Sequence, residues 1–412
     1  MVSKKQEISQ KRPYEIEFAR RLCIPSKFSC DLDVADIEHL NWELMIRYSV
    51  RNGLTPLVFD GLIGLMERVK GIKIDRLQLH DLGAQFEVGK EQLDLLKDSY
   101  FSTLKRNMHI SKALKELDEV ISQRGITCIL WKGAGLIFDV YDSFALRPMD
   151  DIDLLIPPKH IEEFASVLEN LGFRPRSIYP LTWYRREIVV DLHMDIVHSD
   201  RIPSRLKAIP VYTADLASQS CILNGFQTIL TLSPADSLIC LAIHALKHGF
   251  SRDIWFIDSF YLMNRYPELI DYPEDIIKRA NDLGVLRPLA ILFFFLDKWP
   301  VDKALHQDLQ SIYKLELTKL GILPRYILRS IAHGKTLPYS GELFYFLLMD
   351  SNQKRVAFLW DTLFPSKHVL KQLFPNMGSM PYWFYYLRRF FSLICMGFKF
   401  LKVLFNPFAK KR

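Results

Sequence analysis

The chain has 412 residues, 49% of them hydrophobic and 25% charged, enough for two or three structural units and unlike a disordered or fibrous protein. Its 54 basic and 47 acidic side chains leave a mild net charge of +7. Much of it lies at the ends, in Lys4, Lys5, Lys11, Arg12 and in Lys410, Lys411, Arg412, which suit an anionic surface or are simply solvated.

Six cysteines without paired spacing or a CxxC argue against a disulfide framework and a zinc site, and fit a reducing compartment. The first residues hold no apolar core of a secretory signal, and no run of about 18 uncharged apolar residues occurs. A cytoplasmic protein without a spanning helix is expected.

In chain order, apolar residues recur at helical spacing from about Asp36 to Leu117, with Gly53 and Pro56 as punctuation. From Ile126 to about Tyr212 the pattern changes to short apolar runs, ITCILW, IDLLI and EIVVDLH, which read as strands. Two helices join them, Gly135 to Tyr141 and His160 to Leu171, the second stopping at Gly172. Strand, helix, strand, helix, strand is an α/β unit. After Pro234 helical spacing returns, strongest in LICLAIHALKHGF and IWFIDSFYLMNRY. The expected regions are 1–117 (helical), 118–215 (α/β), 230–375 (helical) and 381–412 (a basic amphipathic helix).

The stretch LWKGAGLIFDVYDSFALRPMDDIDLLI carries the chemistry. A strand runs through Lys132, Gly133, Ala134 and Gly135 into a helix. Glycines there let the backbone approach a phosphate, the first helical amides point at it, and Lys132 adds positive charge. Alone, this is an ordinary tight turn. Asp151 and Asp153 then stand at i and i+2, so both carboxylates leave one face of a strand. Their repulsion is relieved by a divalent cation, and hard oxygen ligands favour Mg²⁺. Asp150 falls on the opposite face, as a loop or capping residue. Asp191, at the end of the third strand, either marks a turn or, if its strand neighbours the Asp151/Asp153 strand, brings a third carboxylate. Three such acids form the two-metal arrangement for phosphoryl or nucleotidyl transfer.

With these residues the chain resembles the DNA polymerase β-like nucleotidyltransferases. It is most similar to a bacterial uncharacterised nucleotidyltransferase family with the pattern lKGaaL…lY…R…DiDlLv…vDlHw. The matching residues are Lys132, Gly133, Ala134, Leu136, Tyr141, Arg147, Asp151, Ile152, Asp153, Leu155, Asp191, Leu192 and His193. The resemblance covers roughly residues 40 to 265. Two positions depart from it. Ala134 lacks the hydroxyl that a Ser would offer a phosphate, and Met194 stands where Trp is frequent.

The resemblance implies an α/β (α+β) fold, a polymerase β-like domain with a mixed sheet between helical flanks. It implies transfer of an NMP group from an NTP to a hydroxyl or phosphate acceptor, which sugar, peptide, protein or tRNA could supply. Asp151, Asp153 and Asp191 would hold two Mg²⁺ ions, and Lys132, Gly133, Ala134, Gly135 and Arg147 would bind the nucleotide. The rival readings are a phosphotransferase on the same metals and a catalytically idle nucleotide-binding or scaffold protein.

Several residues carry two readings. Arg147 reaches a triphosphate or holds the loop in place, or pairs with Asp150 or a helix end. His193 alternates with Asp191 and reads as a hydrogen-bonded structural histidine or as an acid/base group behind the metals. His244 and His248 lie at i and i+4, but Ala245 stands where a zinc protease has its Glu, so helix packing or a nucleotide-side contact is expected. Asp258 is expected to pair with one of these histidines or with Arg252. Finally, Phe384, Leu387, Phe391, Ile394, Phe398, Leu401 and Phe405 make one apolar stripe with Arg388, Lys399 and Lys402 beside it. Such a helix lies on an anionic membrane surface, as a peripheral protein would, or packs on the protein's own core or a partner subunit.

Overall fold

A computed structural model of the chain describes residues 13–28, 32, 37, 40–71, 73–77, 90–378 and 380–406. The basic clusters at both ends, Cys30 and Asp36 lie outside the described residues. The helical start is present as α1 (Tyr14–Cys23), α2 (Trp42–Asn52), α3 (Thr55–Lys70) and α4 (Lys90–Gln123). Asn41 starts α2 by accepting from the Leu44 N–H, and Gly53 ends it in the left-handed conformation that glycine adopts without strain.

Next come β1 (Cys128–Leu130), α5 (Lys132–Asp139), β2 (Ile152–Leu155), α6 (Ile161–Asn170), β3 (Arg174–Pro175), β4 (Thr182–Arg185) and β5 (Ile188–His193). Two short helices follow, α7 (Arg205–Ala208) and α8 (Thr213–Ala217), then β6 (Cys221–Ile222) and β7 (Ile229–Thr231). The sheet is mixed, with strand order β3-β4-β5-β2-β1-β7-β6. Its centre, β5-β2-β1, comprises the three strands expected from their apolar runs. Strand β2 pairs parallel with β5 and antiparallel with β1, while β7 lies parallel to β1. The register sets Asp153 opposite Asp191. The third-strand aspartate therefore adjoins the Asp-x-Asp strand rather than marking an isolated turn.

The rest is helical: α9 (Pro234–Lys247), α10 (Ile254–Arg265), α11 (Glu268–Asp271), α12 (Pro273–Asp282), α13 (Leu286–Leu296), α14 (Lys303–Thr318), α15 (Ile322–Ala332), α16 (Ser340–Leu348), α17 (Asn352–Leu363), α18 (Lys367–Leu373) and α19 (Tyr382–Phe405). Ser233 caps α9 by accepting from the Asp236 N–H, and Pro234 takes the first helical position, where its missing donor costs nothing.

Buried ionic ties fix these helices to the sheet and to one another. Asp118 on α4 accepts from the N–H groups of Gln227, Thr228 and Ile229 and so holds β7 in place. Arg20 on α1 donates to Asp253, at the head of α10, at 2.5 and 2.8 Å. Arg279 on α12 grips Asp236 on α9 with two nitrogens. Removing one partner of such a pair strands a charge, so each tie specifies one arrangement strongly.

Helix α19 turns Tyr385, Phe400 and Leu404 inward and is tied to the body by Tyr386 Oη donating to Pro365 O. The stripe from Leu387 to Phe405 faces out: Phe398 is 69% exposed, and Trp383 adds a further ring at 65%. The helix therefore packs on its own protein mainly through other residues than the stripe, of which Phe405 stacks on Tyr326. Among the described residues, no helix is long and apolar enough to cross a membrane.

Candidate active site

The site forms where the C-terminal end of β1, strand β2 and the second half of β5 meet the first turn of α5 and the face of α9. Lys132 opens α5 with φ 53°, a left-handed conformation that costs a non-glycine residue roughly 1 kcal/mol. From there its Nζ lies 2.6 Å from Asp153 Oδ1 and 4.3 Å from the centre of the Trp131 ring. His193 Nε2 approaches the same Asp153 oxygen at 2.7 Å. One ligand atom each from Asp153, Asp191 and His193 lies within 4.8 Å of the others, a spacing that can hold a metal ion. Asp191 Oδ1 is buried and has no hydrogen-bond partner among the described residues. That is an expensive position for a carboxylate oxygen unless a cation or substrate proton meets it.

Asp151 precedes β2 and contributes no atom to that tight group, although it lines the same cleft. Asp151 still feels the charges of both Asp153 and Asp191, so the three carboxylates share one neighbourhood. The electrostatics separate the two acids. Burial, with the Asp153 charge beside it, pushes Asp151 up to about 7. Burial also acts to raise Asp153, but Lys132 and the His193 hydrogen bond override it and hold the carboxyl well below the usual range. His193 is lowered, by burial first and then by Lys132.

The cleft measures about 630 Å³. Lys132, Gly133, Arg147, Asp150, Asp151, Asp153, Asp191 and His193 line it; Ala134 and Gly135 do not. Ala134 is buried, and a Cβ on Gly135 would stand 2.8 Å from Leu130 O, so that glycine lets α5 close on β1. A Cβ on Gly133 would stand 3.2 Å from the Arg147 guanidinium, so Gly133 makes room for that arginine.

Arg147 pairs with neither Asp150 nor a helix end. Its Nε and Nη2 donate to the two oxygens of Asp258 at 2.7 and 2.8 Å, and Nη1 donates to Pro148 O. Tyr141 Oη adds a third donor to Asp258, which is therefore not the partner of His244, His248 or Arg252. Asp150 is exposed, and its carbonyl accepts from Arg106. Asn107, one residue on, donates to Phe144 O and Arg147 O. Helix α4 thus braces the loop that delivers Asp151.

The opposite wall comes from α9 and its C-terminal turn. His244 and His248 pack against Trp255 at 5.1 and 5.2 Å between ring centres and line the cleft without joining the metal-ligand group. Burial lowers both, His248 to about 3 with Lys247 as its next cause. Lys247, Arg252 and His198 also line the cleft, and sequence reading did not single them out as site residues. His198 has φ 57° and a buried Nε2 without a partner among the described residues, and burial lowers it well below the usual imidazole range.

A family described as "Uncharacterised nucleotidyltransferase" matches residues 38–299, and the chain belongs to it. Comparison with curated proteins and with solved structures gives no match. The matched stretch carries α2 through the whole of α13 and every cleft residue named above.

Proposed function

We propose that the protein transfers a nucleoside monophosphate from an NTP to a hydroxyl or phosphate acceptor and releases pyrophosphate. The observation that carries this reading is the convergence of Asp153, Asp191 and His193 on one point, with Asp191 Oδ1 unpartnered and Asp151 on the same cleft wall. Carboxylate oxygens of this kind fit Mg²⁺, and Asp151, raised by burial first and then by the Asp153 charge, is a carboxyl whose charged form divalent ions would favour. Asp151, Asp153 and Asp191 would hold two such ions. When bound, they lower the pKa of the acceptor hydroxyl and offset the charge on the leaving pyrophosphate.

The chain's own residues do the rest. His193 fixes the rotamer of Asp153 from behind. Lys132 stands at the cleft wall, where its ammonium serves both Asp153 and the donor phosphates. Gly133 offers its backbone amide from the first turn of α5. Lys247 and Arg252 add positive charge across the cleft. Asp191 takes the proton of the acceptor hydroxyl as its oxygen bonds to the α-phosphorus. Arg147 orients the loop through Asp258 instead of touching phosphate.

Labelled NTPs with Mg²⁺ and cell extract test the reading. Pyrophosphate release with label on an acceptor supports it. Release of a nucleoside diphosphate would make the protein a phosphotransferase, and no turnover with intact NTP binding would make it an idle binding protein.

The exposed stripe of α19 supports one further assignment, a peripheral position on an anionic membrane at the cytoplasmic face. Exposed Arg388, Lys399 and Lys402 accompany the outward aromatic face. An interfacial helix needs that combination of apolar area and cationic margin.

A further inference from the structure

The two acids Asp151 and Asp191 stand between two cavities. Beyond the cleft with Lys132 and Lys247 lies a second cavity of about 660 Å³, which shares Asp150, Asp151, Asp191, His193 and His198 with it. A group-transfer enzyme needs this topology, because donor and acceptor must reach the same acids from different sides. The cation-lined cleft, with the Lys132 turn, suits the triphosphate. The second cavity is left for the acceptor, and its outer wall has a chemistry of its own.

That wall comes from α18 and from Arg176, Tyr179 and Arg201. On α18, Gln372 is only 8% exposed, and its Nε2 donates to His368 Nε2 at 2.9 Å. This bond leaves the His368 proton on Nδ1 as a donor. Gln372 Oε1 is buried and unpartnered among the described residues. A buried amide oxygen without a donor is costly, and a ligand hydroxyl removes the cost. Together the two side chains offer one acceptor and one donor, a pair that the hydroxyl groups of a sugar can satisfy. Arg176 is exposed and makes no salt bridge among the described residues, so its planar array of donors is open to an oxyanion. Tyr179 offers a ring for the sugar face.

We propose that the second cavity is the acceptor site and takes a phosphorylated sugar. Gln372 and His368 read its hydroxyls, and Arg176 holds its phosphate. The proposal rests on the nucleotidyltransferase reading for the word acceptor, but the binding site stands on its own geometry. His368 and Gln372 lie beyond residue 299, where the family match ends. Acceptor choice is thereby assigned to a segment outside the matched region.

Calorimetry on the full chain separates the two ideas. The probes are a panel of hexose and pentose phosphates, the unphosphorylated sugars, inorganic phosphate and Mg-ATP. At least one sugar phosphate should bind tenfold or more tighter than its parent sugar and than phosphate. Gln372→Leu and Arg176→Ala should each weaken it about tenfold and leave Mg-ATP binding unchanged. If no sugar phosphate outbinds its parent sugar and phosphate, or if both variants bind it like the wild type, the sugar-phosphate site is wrong. A wild-type chain that binds a sugar phosphate but no Mg-ATP would instead overturn the nucleotide reading and leave this site standing. Label transfer to a polypeptide or tRNA, with the sugar phosphates inert, would overturn the acceptor class.

Discussion

Arg147 and Asp258, 111 residues apart in the chain, meet as a two-pronged ion pair with Asp258 fully buried. The pair joins the loop before the Asp-x-Asp strand to α10, so the geometry of the acids depends on a helix distant in sequence. Breaking one side leaves the other as an uncompensated buried charge. Arg147→Met or Asp258→Asn alone should cost about 3–5 kcal/mol in urea unfolding, and the double variant less than the sum of the two. An Arg147→Met protein of wild-type stability would show that the arginine is a free phosphate ligand after all.

The acids should respond oppositely to neutralisation. Repulsion between neighbouring acids, taken alone, would make Asp153→Asn stabilising. With Lys132 and His193 on Asp153, that substitution removes a hydrogen-bonded partner from both and should destabilise the protein by about 1–3 kcal/mol. Burial first, and then repulsion from Asp153, fall on Asp151 instead, so Asp151→Asn should raise stability in EDTA. Added Mg²⁺ should stabilise the wild type and narrow the gap to Asp151→Asn. Both variants should cut transfer by more than about a hundredfold. Denaturation with and without Mg²⁺, beside an activity assay, checks all of these.

Lys247 gives the stability a pH signature. Burial, with Lys132 and Arg205 adding repulsion, pushes its ammonium down to about 7. An unfolded lysine titrates near 10.4, so between about pH 7 and 10 the unfolded chain holds more protons than the folded one. Stability from this group therefore rises with pH through that window. Between pH 7 and 9 the wild type should gain on the order of 2 kcal/mol relative to Lys247→Met. Parallel stability curves for the two proteins would refute the lowered ammonium.

The outward face of α19 predicts binding to anionic vesicles. Each basic residue near such a surface contributes about 1 kcal/mol, so Lys399→Gln with Lys402→Gln should weaken binding by roughly tenfold or more. Raised salt should weaken the wild type similarly and leave the apolar contribution in place. Sedimentation with vesicles, beside a chain truncated before Pro381, decides it. If the full chain stays in the supernatant at low salt, or if the truncated chain unfolds, the membrane assignment fails.

Much of the site was legible because its central residues are local or follow a simple period. Lys132 and Gly133 sit at one turn, and Asp153, Asp191 and His193 alternate on neighbouring strands. Asp151 lines the same cleft although β2 begins one residue later, so its position follows from the loop before the strand and not from strand alternation alone. Sequence reasoning offered Arg147 a phosphate, the loop, or a local partner such as Asp150, but could not name Asp258, because no pattern in the chain points from residue 147 to residue 258. Strands β3 and β6 have only two residues each, too few to show a period. Lys247 and Gln372 gain their roles from burial, which packing decides after the helices meet.

The parallel pairing of β7 with β1 also orders events in time. Ile229 is made 101 residues after Cys128, its partner in the register. At about 5–20 residues per second, a growing chain waits roughly 5–20 s with one edge of β1 uncovered. Asp258 follows later still, so the loop before β2 remains without its brace over the same interval. A nascent chain halted before residue 229 would present an open strand edge, a template for wrong pairing. The requirement for a chaperone should therefore be greatest for this middle third of synthesis and should end abruptly once α10 has left the ribosome.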